Sequence, residues 1–147
     1  MSSSAAAAPG ASATPPSPVH SKRIEIRWRD ADAFGHVNNA VYLTYLEEVR
    51  DEWLDAALGD AGDAWGYVTA RVAIDFRREL RLEDEAVVVS CRLVRIGNSS
   101  LTIREQIRTR GGEVAAESEA VLVARDRDTG RSRPLSELER DTFERAL

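Results

Sequence analysis

Trp28-Arg29-Asp30-Ala31-Asp32-Ala33-Phe34-Gly35-His36-Val37-Asn38-Asn39 separates two stretches of different period. Before it, Ile24, Ile26 and Trp28 alternate with Arg23, Glu25, Arg27 and Arg29, a spacing of two that predicts a strand. After it, Val41, Tyr42, Tyr45, Leu46, Val49, Trp53, Leu54 and Leu58 advance in helical steps, which predicts an amphipathic helix of about five turns. Asn38 or Asn39 suits its N-cap and Gly59 its stop. The segment between strand and helix holds two acids, a glycine, one of the two histidines and a pair of asparagines. A carboxylate delivered to the start of a helix suits chemistry on a carbonyl group. The helix N-terminus presents unpaired N–H groups and a positive dipole end to a developing oxyanion. The carboxylate serves as base or nucleophile.

Downstream the period returns to two. Strands are predicted at Tyr67 to Phe76, Glu85 to Arg95, Ser99 to Arg110 and Glu113 to Arg125, with Arg77 to Asp84 as a charged connection. Gly111-Gly112 marks a tight hairpin. Ser136 and Glu139 have the spacing of a capping box for a short terminal helix. The expected architecture is α+β: one strand, a long helix, and an antiparallel meander of four strands curled around that helix. Residues 1–20, rich in Ala, Ser and Pro, are expected to form a disordered tail that includes His20. The folded domain is expected over 21–135 and the terminal helix over 136–147.

The chain has 147 residues, enough for one core, with a net charge of −5 that offers no basic surface to nucleic acid or an anionic membrane. No apolar run approaches the ~20 residues of a membrane span. The start lacks the basic and apolar regions of a secretory signal, so a cytoplasmic protein is expected. Cys91 is the single cysteine and sits in an apolar strand pattern, which predicts a buried structural thiol. One usable histidine and one buried cysteine fall short of the ligand sets of zinc, and no metal is expected.

Asp30-Ala31-Asp32, Gly35-His36-Val37-Asn38-Asn39, Tyr42 and Tyr45-Leu46-Glu47-Glu48 resemble the signature of hotdog-fold acyl-CoA thioesterases, the 4-hydroxybenzoyl-CoA thioesterase branch above all. His36-Val37-Asn38-Asn39 is also similar to plant acyl-ACP thioesterases. Phe34 stands where those enzymes tend to carry asparagine, which favours the acyl-CoA branch. The resemblance spans Ile24 to Pro134. It implies a hotdog fold of about five strands around one central helix, and hydrolysis of an acyl-CoA to free acid and CoA without a cofactor. It places the catalytic carboxylate on Asp32 and the oxyanion donor on the backbone N–H of Asn39, with His36 as a supporting polar group. Glu48 is the reserve acid, because other hotdog branches carry one on the central helix. The resemblance further implies a homodimer or homotetramer with sites at the dimer interface.

Read from the residues, Asp30 is structural, expected to bind backbone N–H groups of the loop. Gly35 serves the backbone, by a positive φ or by close approach of substrate. Tyr42 and Tyr45 belong to the core or to an acyl-pocket wall, and Trp53 and Tyr67 are expected to set pocket depth. Arg95, Asn98 and Ser99, in a polar turn, are the candidate contacts for CoA phosphates, with Arg71 and Arg77 as further cations. Two other functions fit the same pocket: hydrolysis of an acyl-ACP, and non-catalytic binding of acyl-CoA.

Overall fold

A computed structural model describes residues 19–147. Strand β1 (His20–Glu25) precedes the loop, and helix α1 (Asn39–Leu58) follows it. Then come β2 (Tyr67–Phe76), β3 (Ala86–Ile96), β4 (Ser100–Thr109), β5 (Val114–Ala124) and α2 (Glu137–Arg145). The five strands form one sheet in the order β1-β3-β4-β5-β2, every neighbouring pair antiparallel.

The sheet curls around α1, which buries Tyr42, Tyr45, Leu46, Val49, Trp53, Leu54 and Leu58. They meet Val87, Val89, Cys91 and Leu93 of β3, Leu101, Ile103 and Ile107 of β4, and Ala116 and Leu122 of β5. Full burial of each such aliphatic side chain contributes about 1.5–3 kcal/mol. One ion pair sits inside this apolar layer: Arg50 Nε is 2.7 Å from Glu105 Oε1, both residues almost wholly buried. Arg50 also donates to Thr69 Oγ1 at 3.3 Å, so its charge and its donors are matched. Burial, the largest cause, pushes the Cys91 thiol up to about 12, and the residue is the inert core thiol its sequence context suggests. Together these features make the hotdog arrangement.

Helix α1 begins and ends on the expected caps, with Asn38 accepting from Ala40 N and Gly59 at φ 49°. Helix α2 has the expected box of Ser136 and Glu139. It closes the far end of the sheet, where Phe143 stacks on Trp53 at 6.2 Å and meets Tyr67 edge-on at 6.1 Å. Arg133 beside Glu139 holds that carboxyl at about 2, well below the usual range.

Four details differ from the sequence expectation. The strand stops at Glu25, and Trp28, 85% exposed, opens a single 3-10 turn (Trp28–Asp30). Asp30 Oδ2 accepts from Arg27 N at 2.8 Å and folds the chain out of the ladder there. His20 is the first residue of β1, opposite Cys91, rather than part of a tail; the rest of the expected tail, residues 1–18, lies outside the described residues. The Gly111-Gly112 turn is a three-residue loop closed by Thr109 N to Glu113 O at 2.9 Å, with Gly112 supplying the positive φ of 89°. The largest difference is in topology. Only β3, β4 and β5 form a meander; β2 lies at the opposite edge, beside β5. The Arg77–Glu85 connection is long enough to carry the chain from the β2 edge across to β3. It forms a strap past the N-terminus of α1, hydrogen-bonded through Leu80 O to Val37 N at 2.7 Å.

Candidate active site

The loop and the strap are built on each other. Ala31 bridges Val37 and His36 bridges Arg81, so the loop is a short hairpin whose returning arm lies along the strap. Asp32 N donates to His36 O at 2.8 Å and Gly35 N to Asp32 O at 3.1 Å, closing the turn. Gly35 sits at φ 78°, and a Cβ built there meets nothing within 4 Å. Its requirement is therefore conformational, not steric.

The two acids of the loop have separate surroundings. Asp30 is 6% exposed, and its Oδ2 accepts from Arg27 N at 2.8 Å and from the Tyr45 hydroxyl at 2.6 Å. Its backbone oxygen takes Asn38 N at 2.9 Å, so it anchors both ends of the loop. Burial above all, then the Asp30 carboxylate, pushes the Tyr45 phenol far up, so Tyr45 remains a donor. Asp32 is only half-buried, and its Oδ1 accepts from Phe34 N at 2.9 Å and His36 N at 3.4 Å. Its Oδ2 has no hydrogen-bond partner among the described residues. One oxygen is thus held by the turn and the other is unpaired among the described residues.

The start of α1 leaves one donor in reserve. Ala40 N is bound by Asn38 Oδ1 at 2.9 Å and Val41 N by Asn38 O at 2.8 Å. Asn39 N has no acceptor among the described residues, and Asn39 lines the same cleft as Asp32. That cleft measures about 450 Å³. Asp32, His36 and Val37 of the loop, Asn38, Asn39 and Tyr42 of the helix, and Phe76 to Glu79 at the head of the strap form its walls.

Tyr42 joins helix to strap. Its hydroxyl donates to Arg78 O at 3.1 Å and accepts from Leu80 N at 2.9 Å, and its ring meets Phe76 edge-on at 5.1 Å. Burial, the largest cause, raises its phenol above the ordinary value. His36 turns toward the strap. Its Nε2 is 3.0 Å from Arg81 Nη2 and 3.3 Å from Glu79 Oε2. Arginine only donates, so in the first contact Nε2 is the acceptor. Arg77, one of the cations suggested by sequence, lines the cleft beside Arg78.

Asp32, Gly35, His36, Asn39 and Tyr42 therefore gather at one end of the molecule. The remaining candidates do not join them within one chain. Arg95, Asn98 and Ser99 surround the β3–β4 turn at the other end of β3, an 11-residue strand of about 35 Å. Arg95 donates to Thr102, and Asn98 O accepts from Leu135 N under the segment leading to α2. Trp53 and Tyr67 pack on Phe143 at that same far end and do not line the cleft. Glu48 faces β1, its Oε1 3.2 Å from Lys22 Nζ. Sequence reasoning missed Phe76, Arg78 and Glu79. The one signal for them was an aromatic residue at a strand end followed by a dense charge run. Among the described residues no three His, Cys, Asp or Glu side chains group so as to hold a metal ion. Nor is any described helix long and apolar enough to cross a membrane.

Residues 26–142 match the model of the thioesterase-like superfamily. A thioesterase of Thermus thermophilus, solved with coenzyme A and zinc, is 35% identical with a TM-score of 0.77, the match covering 89% of this chain and 95% of that one. A predicted thioesterase from Bacillus stearothermophilus is 28% identical with a TM-score of 0.78, over 88% and 97% of the two chains. YsmA, an uncharacterised protein of Bacillus subtilis, is 24% identical over 122 residues, 82% of each chain.

Proposed function

From the premise that the chain belongs to the thioesterase-like superfamily and is a thioester hydrolase, we propose that it hydrolyses an acyl-CoA to the free acid and CoA, with Asp32 as its catalytic carboxylate. The observation that carries the reading is the shared cleft of Asp32 and the unbonded Asn39 N–H. The thioester carbonyl oxygen binds at that N–H, where the helix dipole adds to the stabilisation of an oxyanion. Asp32 takes a proton from water as the water oxygen adds to the carbonyl carbon. Alternatively, it adds to that carbon itself, and water cleaves the resulting anhydride. By either route the C–S bond breaks, the sulfur leaves with its electron pair, and the CoA thiolate takes up a proton. His36, held by Arg81, is a supporting group at the rim. Arg77, which lines the cleft and pairs with Glu117 at 3.3 Å, is the cation proposed to meet a phosphate of the substrate, the Arg95 turn of the same chain being distant. The complex of the Thermus relative with coenzyme A supports a CoA substrate here.

The working unit in this reading is a homodimer, or a tetramer built from it, joined along the open edge of β2 and active in the cytoplasm. The test is thiol release from short, long and aromatic acyl-CoAs, each compared with the same acyl group on a carrier protein. Turnover of a CoA thioester in preference to the carrier form supports the proposal. Binding without release of thiol contradicts it.

A further inference from the structure

We propose that Trp65 of the partner subunit is a specificity-determining residue of the cleft, lying across the acyl side of a site that one chain leaves open. The inference rests on the homodimer and the cleft described under Proposed function. Within one chain the cleft is poor in apolar surface: Val37, Tyr42 and Phe76 supply it, and Phe76 is 45% exposed. An acyl group held there needs a further wall to exclude water.

Strand β2 indicates where that wall comes from. Its far edge has no neighbouring strand among the described residues, and its 10 residues contain no proline or glycine. Such an edge is a template for another strand. Its sequence is complementary to itself. With a two-fold axis at Ala73, Arg71 faces Asp75 in both directions and Val72 faces Ile74. Arg71 and Asp75 side chains are 58% and 74% exposed and share the outer face, where each has one partner in its own chain, Glu119 at 3.4 Å and Arg77 at 3.7 Å, and the joint adds an opposite charge across the strand to both. An antiparallel joint brings the start of one β2 to the end of the other. In this register Phe76, the last residue of β2, faces residue 70, so Trp65 lies past the end of the facing strand, at the height where that copy's chain leaves the sheet and Phe76 to Glu79 wall its cleft. In its own chain Trp65 is 80% exposed, while its backbone N–H is fixed by Asp63 Oδ1 at 2.9 Å. An exposed indole on a fixed backbone at this height becomes part of the neighbouring site.

The experiment measures kcat/KM on an aromatic and a long-chain acyl-CoA for Trp65→Ala, Trp65→Phe and Asp32→Asn, and for co-expressed Trp65→Ala and Asp32→Asn subunits. Trp65→Ala is expected to lose about tenfold, mostly in KM, with Trp65→Phe recovering much of it. In the mixture half of the dimers are mixed and hold one site with both natural residues, so about a quarter of wild-type kcat/KM is expected. A mixture at about one-twentieth would put Trp65 in the site of its own chain and overturn the proposal. Wild-type kinetics in Trp65→Ala would also overturn it. A chain that sediments as a monomer overturns the partner's role but leaves Asp32 untouched, whereas full turnover by Asp32→Asn overturns the reading of the cleft itself.

Discussion

Asp30 and Asp32 stand two residues apart in one loop, yet the inner and outer sides of that loop do different work. On the inner side Asp30 is buried, and one of its oxygens is shared between a backbone N–H and the Tyr45 hydroxyl. On the outer side Asp32 is half-buried, with one oxygen fixed by the turn and the other open to the cleft. The local backbone separates them: Asp30 ends the 3-10 turn (Trp28–Asp30) with its side chain toward the core, whereas Asp32 opens the next turn at the cleft. The same carboxyl group is thus a buried anchor at Asp30 and a half-open acceptor at Asp32, the position proposed for catalysis, according to which donors surround it.

The largest effect expected is on turnover. Asp32→Asn keeps an oxygen for the Phe34 N–H but removes the proposed base or nucleophile, so thiol release should fall by more than ~10²-fold, while the melting temperature stays close to wild type. Asp30→Ala should do the reverse. It strands the buried Tyr45 hydroxyl, at about 1–3 kcal/mol, which urea unfolding reads directly. Activity per folded molecule should drop far less than in the Asp32 variant. Asn38→Ala removes the oxygen that caps Ala40 N and should cost about 1 kcal/mol of stability, seen as a lower denaturation midpoint. Asn39→Ala should change the rate least, by less than about threefold, because the donor assigned to it is its backbone N–H. A large rate loss there would shift the oxyanion site to the side chain.

Much of this was legible in the sequence because periodicity reports which face of an element is buried. The helix, both of its caps, the four later strands and the Ser136 box all follow from local spacing. What periodicity does not report is the partner of a strand. Nothing local in Tyr67–Phe76 says that it pairs with β5 rather than β3, and the strap that results brings Phe76, Arg78 and Glu79 to the cleft. Trp28 was misplaced for a related reason. Its alternation with Arg27 and Arg29 fits a strand, but a hydrogen bond from Arg27 N to the side chain of Asp30 ends the ladder first. Polar side chains that capture backbone groups compete with regular structure in ways that hydrophobic spacing does not reveal. The Arg95 turn was a compositional choice, and composition cannot tell one end of a sheet from the other.

The most direct test of the account sets Asp32→Asn beside Asp30→Asn, measuring thiol release and thermal unfolding on the same preparations. The account predicts a crossed result: turnover lost and melting temperature kept for Asp32, melting temperature lowered and turnover of the folded fraction largely kept for Asp30. Full turnover by the Asp32 variant, or parallel losses of rate and stability in both, would contradict it.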